Sequence, residues 1–145
     1  MNVIALFLPI VTPAGGRLFT APLDIFFGGA NSVEPDLIVL LPKRLHLMNK
    51  RGIEGAPDLL IEMLSPSNPE HDRITKRALY ERGGVREYWC VSPEAATIEV
   101  LTLDGSRYQN HLRDAGDGPV TFLVLPDLSF PASTAFSATS VSQAR

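Results

Sequence analysis

A chain of 145 residues with 45% hydrophobic and 20% charged residues has the size and balance of one globular domain, which excludes collagen-like and largely disordered classes. A net charge of -3 and a pI near 5.5 argue against a general DNA binder with a basic footprint spread over its surface. The single Cys90 excludes an intramolecular disulfide and, inside the apolar run EYWCVS, reads as a reduced buried thiol, so a cytoplasmic location is expected. Basic residues gather locally, at Lys43, Arg44, Lys50 and Arg51 and again at Arg73, Lys76, Arg77 and Arg82. Such clusters track a phosphate backbone if one face collects them, and are otherwise solvated charges.

Residues 1–12 are apolar without a clear period, compatible with a buried helix end or a strand. They carry no Lys or Arg before the apolar run and are interrupted by Pro9, unlike a secretory signal, and they fall short of the roughly 20 apolar residues of a membrane span. No membrane partner is expected. RLFTAPLDIFF (17–27) reads as extended structure closed by Gly28 and Gly29, and VEPDLIVLL as a second strand ending at Pro42, the two forming a hairpin. Residues 43–56 are polar, basic and Gly-containing, which predicts a loop.

PDLLIEMLS then predicts an eight-residue apolar strand entered at Asp58 and stopped by Pro66, buried on both faces. A helix follows over about residues 69–82: Asn68 can cap it, Pro69 suits its first position, Glu70 and Asp72 favour its positive end, and Gly83 and Gly84 stop it. With the strand REYWCVS this gives a βαβ unit at about 57–92, its two strands parallel and its crossover right-handed. TIEVLTL and RYQNHL flank Asp104-Gly105 as a hairpin, and VTFLVL supplies one more strand or a packed terminal segment. The stretch 132–145 is small and polar and is expected to be a flexible tail, leaving one domain over 1–131.

Glu62 interrupts a run whose neighbours are all apolar. An ionised carboxylate there costs several kcal/mol unless it is protonated, salt-bridged or bound to a metal. Strand alternation puts Asp58 and Glu62 on one face about 13 Å apart, too far for one ion. Asp36, entering the neighbouring strand after Pro35, is the better partner, and two carboxylates with waters and a backbone carbonyl such as that of Met63 suit the octahedral shell of Mg²⁺. Such an ion binds a phosphate oxygen, lowers the pKa of a water nucleophile and stabilises the leaving oxygen. The structural alternative has Asp36 capping a turn and Glu62 pairing with an internal Arg or Lys.

Asp72, Lys76 and Tyr80 recur at helical i, i+4 spacing on one face. Lys76 could orient or polarise an attacking water and neutralise phosphate charge, or simply pair with Asp72 for about 0.3–0.5 kcal/mol. Tyr80, Tyr88 and Trp89 read first as core or interface aromatics. His46, His71 and His111 lack metal-type spacing, and no Gly-x-Ser-x-Gly elbow, phosphate-binding loop or dinucleotide fingerprint is present, which sets aside zinc, serine hydrolysis and nucleotide binding.

The ordered words EPDLIVL, GAPDLLIEMLSPSN and GVREYWCVSP, with Asp72, Lys76 and Tyr80 between the last two, resemble the Uma-two family of restriction endonucleases, formerly a domain of unknown function, within the PD-(D/E)XK nuclease superfamily. The resemblance covers about residues 1–130, and 56–93 is its most specific part. It implies an α/β (α+β) restriction-endonuclease-like core, a central mixed β-sheet flanked by helices, with Mg²⁺ or Mn²⁺ as cofactor and DNA as substrate. By position Asp36 matches the first motif acid and Glu62 the second, making them the implied metal ligands and, with Lys76, the implied catalytic set. Leu64 stands where the superfamily places its lysine, and the resemblance implies that Lys76 substitutes for it. Ser92 stands where relatives commonly carry Asp.

Relatives usually begin with an additional segment bearing a helix, a hairpin and an acidic residue, which this chain is expected to lack. Asp24 in PLDIFF is a further accessory acid or an edge-strand aspartate. Two functions stay open: a Mg²⁺-dependent endonuclease acting on DNA, or a non-catalytic binding or interaction protein that retains the nuclease fold. The acidic pI, Leu64 and the short front end favour the second, and a homo-oligomer, most simply a dimer, is expected.

Overall fold

The computed structural model describes residues 3–29, 31–65, 70–113, 119–121, 123–125 and 129–131. The aperiodic apolar start is a helix, α1 (Val3–Val11), which buries Phe7 and Val11, one turn apart, and leaves Ile4 and Leu8 outside. Strand β1 (Arg17–Thr20) follows and stops before the cis Ala21–Pro22 bond. Residues 17–27 are therefore not one strand, since a proline offers no N–H to continue the ladder. Beyond it β2 (Ile25–Phe26) joins a separate small sheet with β3 (Ser32–Val33) and, in parallel, β5 (Ile53–Glu54).

The expected hairpin partner is present as β4 (Leu37–Leu40), antiparallel to β1 and buried throughout. Residues 43–56 are more ordered than a loop: they contain a 3-10 helix, Pro42–Leu47, opened by Pro42 in its first turn, and strand β5. The buried strand is β6 (Leu59–Met63), five residues rather than eight, with one further backbone bond from the Leu64 N–H to the Val91 carbonyl at 2.7 Å.

Helix α2 (Glu70–Gly83) crosses from β6 to β7 (Glu87–Ser92), and these strands are parallel, as the βαβ reading requires. The expected cap at Asn68 and Pro69 lies outside the described residues. The helix ends at Gly83, one residue later than expected, and Gly84, with a φ of 87°, turns the chain back so that its own N–H and that of Val85 both reach the Tyr80 carbonyl at 3.1 Å. β8 (Thr97–Asp104) and β9 (Arg107–Arg113) form the predicted hairpin. Its two-residue loop is Gly105-Ser106, with Asp104 still paired to Arg107 and Gly105 at φ 66°. Of VTFLVL, two residues fall in β10 (Pro119–Thr121), which pairs with β11 (Ser129–Pro131), and Val124 and Leu125 are buried. The tail 132–145 lies outside the described residues.

The main sheet runs β1-β4-β6-β7-β8-β9, mixed because only β6 and β7 are parallel. Alternation sorts its side chains into two cores. Leu37, Val39, Leu59, Ile61, Trp89 and Val91 face α1, where Phe7 meets Trp89 edge-on at 5.6 Å. Ile38, Leu40, Leu60, Tyr88 and Cys90 face the other way, against Tyr80 of α2. Trp89, Tyr88 and Tyr80 are core aromatics, as expected.

Candidate metal centre

The β4–β6 register pairs Leu37 with Ile61 and Ile38 with Leu60. One step further along the same ladder, Asp36 falls opposite Glu62, both on the face that α2 covers. Asp36 sits at the mouth of β4: its main-chain carbonyl accepts from the Ala21 N–H at 3.2 Å, and its carboxylate Oδ2 accepts from the Met63 N–H at 2.6 Å. The side chain thus clamps onto the strand that carries Glu62. It is no turn cap.

Glu62 is 6% exposed. Its Oε2 accepts from the Tyr80 hydroxyl at 2.6 Å and lies 3.4 Å from Lys76 Nζ. The i, i+4 spacing expected to put Lys76 and Tyr80 on one face of α2 brings both groups to one oxygen, and also supplies the internal cation of the structural alternative. Tyr80 is fixed by edge-on contacts with Tyr88 at 5.0 Å and Phe27 at 6.1 Å. With Asp36 Oδ2 and Glu62 Oε2 engaged, Asp36 Oδ1 and Glu62 Oε1 carry no hydrogen bond among the described residues.

Burial holds the Glu62 carboxyl above its ordinary range, and the Asp36 charge adds to this, while the Tyr80 hydrogen bond and Lys76 oppose it. Burial, then the Glu62 charge, pushes the Tyr80 hydroxyl far above the usual phenol value, so Tyr80 acts as a donor only. Burial also pushes the neighbouring Cys90 thiol up to about 11, which keeps it protonated and a poor soft-metal ligand. The donor set at this point is hard carboxylate oxygen, which fits Mg²⁺ or Mn²⁺.

The other named residues lie elsewhere or beyond description. Asp24 accepts from Ser32 at 3.0 Å within the small sheet. Asp58, four residues before Glu62 and just ahead of β6, accepts from the Leu41 N–H at 2.7 Å and pairs with Arg44 at 3.2 Å. The side chain of Asp72 lies outside the described residues. Among the described residues no three Asp, Glu, His or Cys side chains converge in a way that could hold a metal ion. The first basic cluster is partly structural: Arg44 donates to Ala56, and Arg51 pairs with Glu54 and stacks on Phe26 at 3.6 Å.

Glu87 escapes sequence reasoning. It is fully buried on the α1 side, where its carboxylate accepts from the Trp89 indole at 2.7 Å and from the main-chain N–H groups of Leu123 and Val124 at 3.0 and 2.8 Å. In the sequence it looks like the polar entry of a strand. Its only signal is the alternation that places it with Trp89 and Val91.

A mixed sheet with a βαβ unit, and with two strand acids under a helix lysine, is a nuclease-like fold. It is similar to a crystal structure described as "a putative nuclease belonging to DUF820" from Anabaena variabilis, with a TM-score of 0.75 and 22% identity over 94% of this chain and 76% of that one. The chain belongs to the Uma2 family, described as "Putative restriction endonuclease", whose model matches residues 1–133. No curated protein matches it. No helix among the described residues is long and apolar enough to cross a membrane.

Proposed function

We propose that this protein is a Mg²⁺- or Mn²⁺-dependent endonuclease that hydrolyses phosphodiester bonds in DNA, with Asp36 and Glu62 holding the cation. The observation that carries the reading is the meeting of Lys76 and Tyr80 on one oxygen of a buried glutamate that lies opposite Asp36. Lys76 offsets only one of the two carboxylate charges, and a divalent cation held between Asp36 and Glu62 would offset the rest.

When bound, the cation supplies Lewis acidity towards a phosphate oxygen and makes a bound water more acidic. The chain does the rest. Tyr80 donates to Glu62 Oε2 and so fixes the rotamer that presents Oε1, while Met63 does the same for Asp36 through its N–H. Lys76, about one-third exposed, reaches from α2 to the edge of this pair, where it orients the attacking water and offsets charge developing on the phosphate. Leu64, in the usual lysine position, packs against the α2-side core, which leaves this task to the helix residue. In the cytoplasm, a homodimer would present one such site to each strand of a duplex.

Supercoiled plasmid tests the reading. Nicking is expected with Mg²⁺ or Mn²⁺ and not with chelator, and a loss of at least about a hundredfold is expected in Glu62→Gln and in Lys76→Met. Equal nicking by wild type and Glu62→Gln would remove the catalytic assignment.

A further inference from the structure

The register continues beyond Glu62: Glu62 pairs with Cys90 on β7, and Cys90 pairs with Glu99 on β8. All three side chains lie on the α2 side, at steps of about 4.8 Å. Above Cys90 and Glu99, α2 carries Arg73 and Arg77, one turn apart, and a notch of about 100 Å³ opens between these two arginines and Tyr88, Cys90 and Glu99. Arg73 lines the same notch as the sheet residues Tyr88, Cys90, Glu99 and Leu101, so its side chain lies over the sheet. Ile74, 62% exposed, forms an apolar rim. The notch therefore begins one strand away from the carboxylate pair.

We infer that this notch seats a backbone phosphodiester of the DNA strand adjacent to the one at the carboxylate pair, held by Arg73 and Arg77. The inference rests on the nuclease reading for its choice of ligand. A backbone phosphodiester is a singly charged anion with two free oxygens. Planar guanidinium forks give such an anion paired hydrogen bonds. The exposed apolar rim suits the sugar between two phosphates. Glu99 sets the strength of the site, since its carboxylate opposes the anion.

The test is binding of fluorescent duplex and single-stranded oligonucleotides of two unrelated sequences, followed by anisotropy in chelator across a salt series, so that neither metal nor cleavage enters. Arg77→Gln, exposed and so safe for folding, is expected to weaken binding severalfold and equally for both sequences, and to reduce the salt slope by about 1. Arg82→Gln, on the last turn of the same helix and outside the notch, is expected to stay within about twofold of wild type. Glu99→Gln is expected to tighten binding. The inference is overturned if Arg77→Gln behaves as Arg82→Gln does, if Glu99→Gln weakens binding, or if the wild type binds neither oligonucleotide. Binding that follows the expected pattern, with no nicking in metal, upholds the notch and defeats the catalytic reading alone.

Discussion

Tyr80 is a single hydroxyl on which the geometry of Glu62 depends. Tyr80→Phe keeps the ring contacts with Phe27 and Tyr88 and removes only the 2.6 Å donor. Because the lost bond is to a buried carboxylate, urea denaturation is expected to show a loss of about 1–3 kcal/mol. Mn²⁺ affinity is expected to fall about tenfold, as for other residues that orient a ligand. Glu62 gives a pH signature of opposite character. Burial raises its folded pKa above the ordinary carboxylate range, so the folded state keeps a proton that the unfolded state has released, and stability falls as pH rises from the unfolded pKa through the folded one. Glu62→Gln lacks that component. In chelator, its melting temperature relative to wild type is therefore expected to rise between pH 5 and pH 7.5, and a constant difference would contradict the burial of a charge here. Glu62 was legible in the sequence because an acid among apolar neighbours demands a partner. Helical spacing put Tyr80 on one face with Lys76, but that its hydroxyl meets the Glu62 carboxylate was not legible, because the spacing says nothing of which strand residue lies beneath that face.

At the scale of elements, the βαβ unit was legible because its parts are punctuated by charge, proline and glycine. The left-handed residue that ends α2 gives a direct check. Gly84→Ala places its Cβ in open space, yet asks an L-residue to hold φ 87°, and a loss of about 1–2 kcal/mol in urea is expected. Besides the proline that ends β1 and the 3-10 helix at Pro42–Leu47, the segments at 17–27 and 43–56 differ from expectation through one shared feature. Their short strands, Ile25–Phe26 and Ile53–Glu54, pair with each other, the first also with Ser32–Val33, and two-residue strands hold no period that a sequence can display. The helix at Val3–Val11 was ambiguous because its partly exposed face is also apolar, with Ile4 and Leu8 outside.

For the whole molecule, the acidic net charge and the basic corner at α2 coexist because charge is read by a ligand locally and by composition only as a sum. The two faces of the sheet divide the work. The α1 side is structural, and Glu87 ties the segment around Leu123 and Val124 to it. Glu87→Gln sets an amide N–H₂ against either the Trp89 indole or those main-chain donors, so a loss of about 2–3 kcal/mol and faster amide exchange at 123 and 124 are expected, with metal binding unchanged. The α2 side carries the acids, the lysine and the arginine notch. Its central claim is a cation shared by Asp36 and Glu62. Calorimetric titration of Mn²⁺ into wild type, Asp36→Asn and Glu62→Gln tests that claim most directly. One site per chain is expected in the wild type, weakened at least about tenfold by either substitution. Equal Mn²⁺ binding by all three proteins, or none by the wild type, would contradict it.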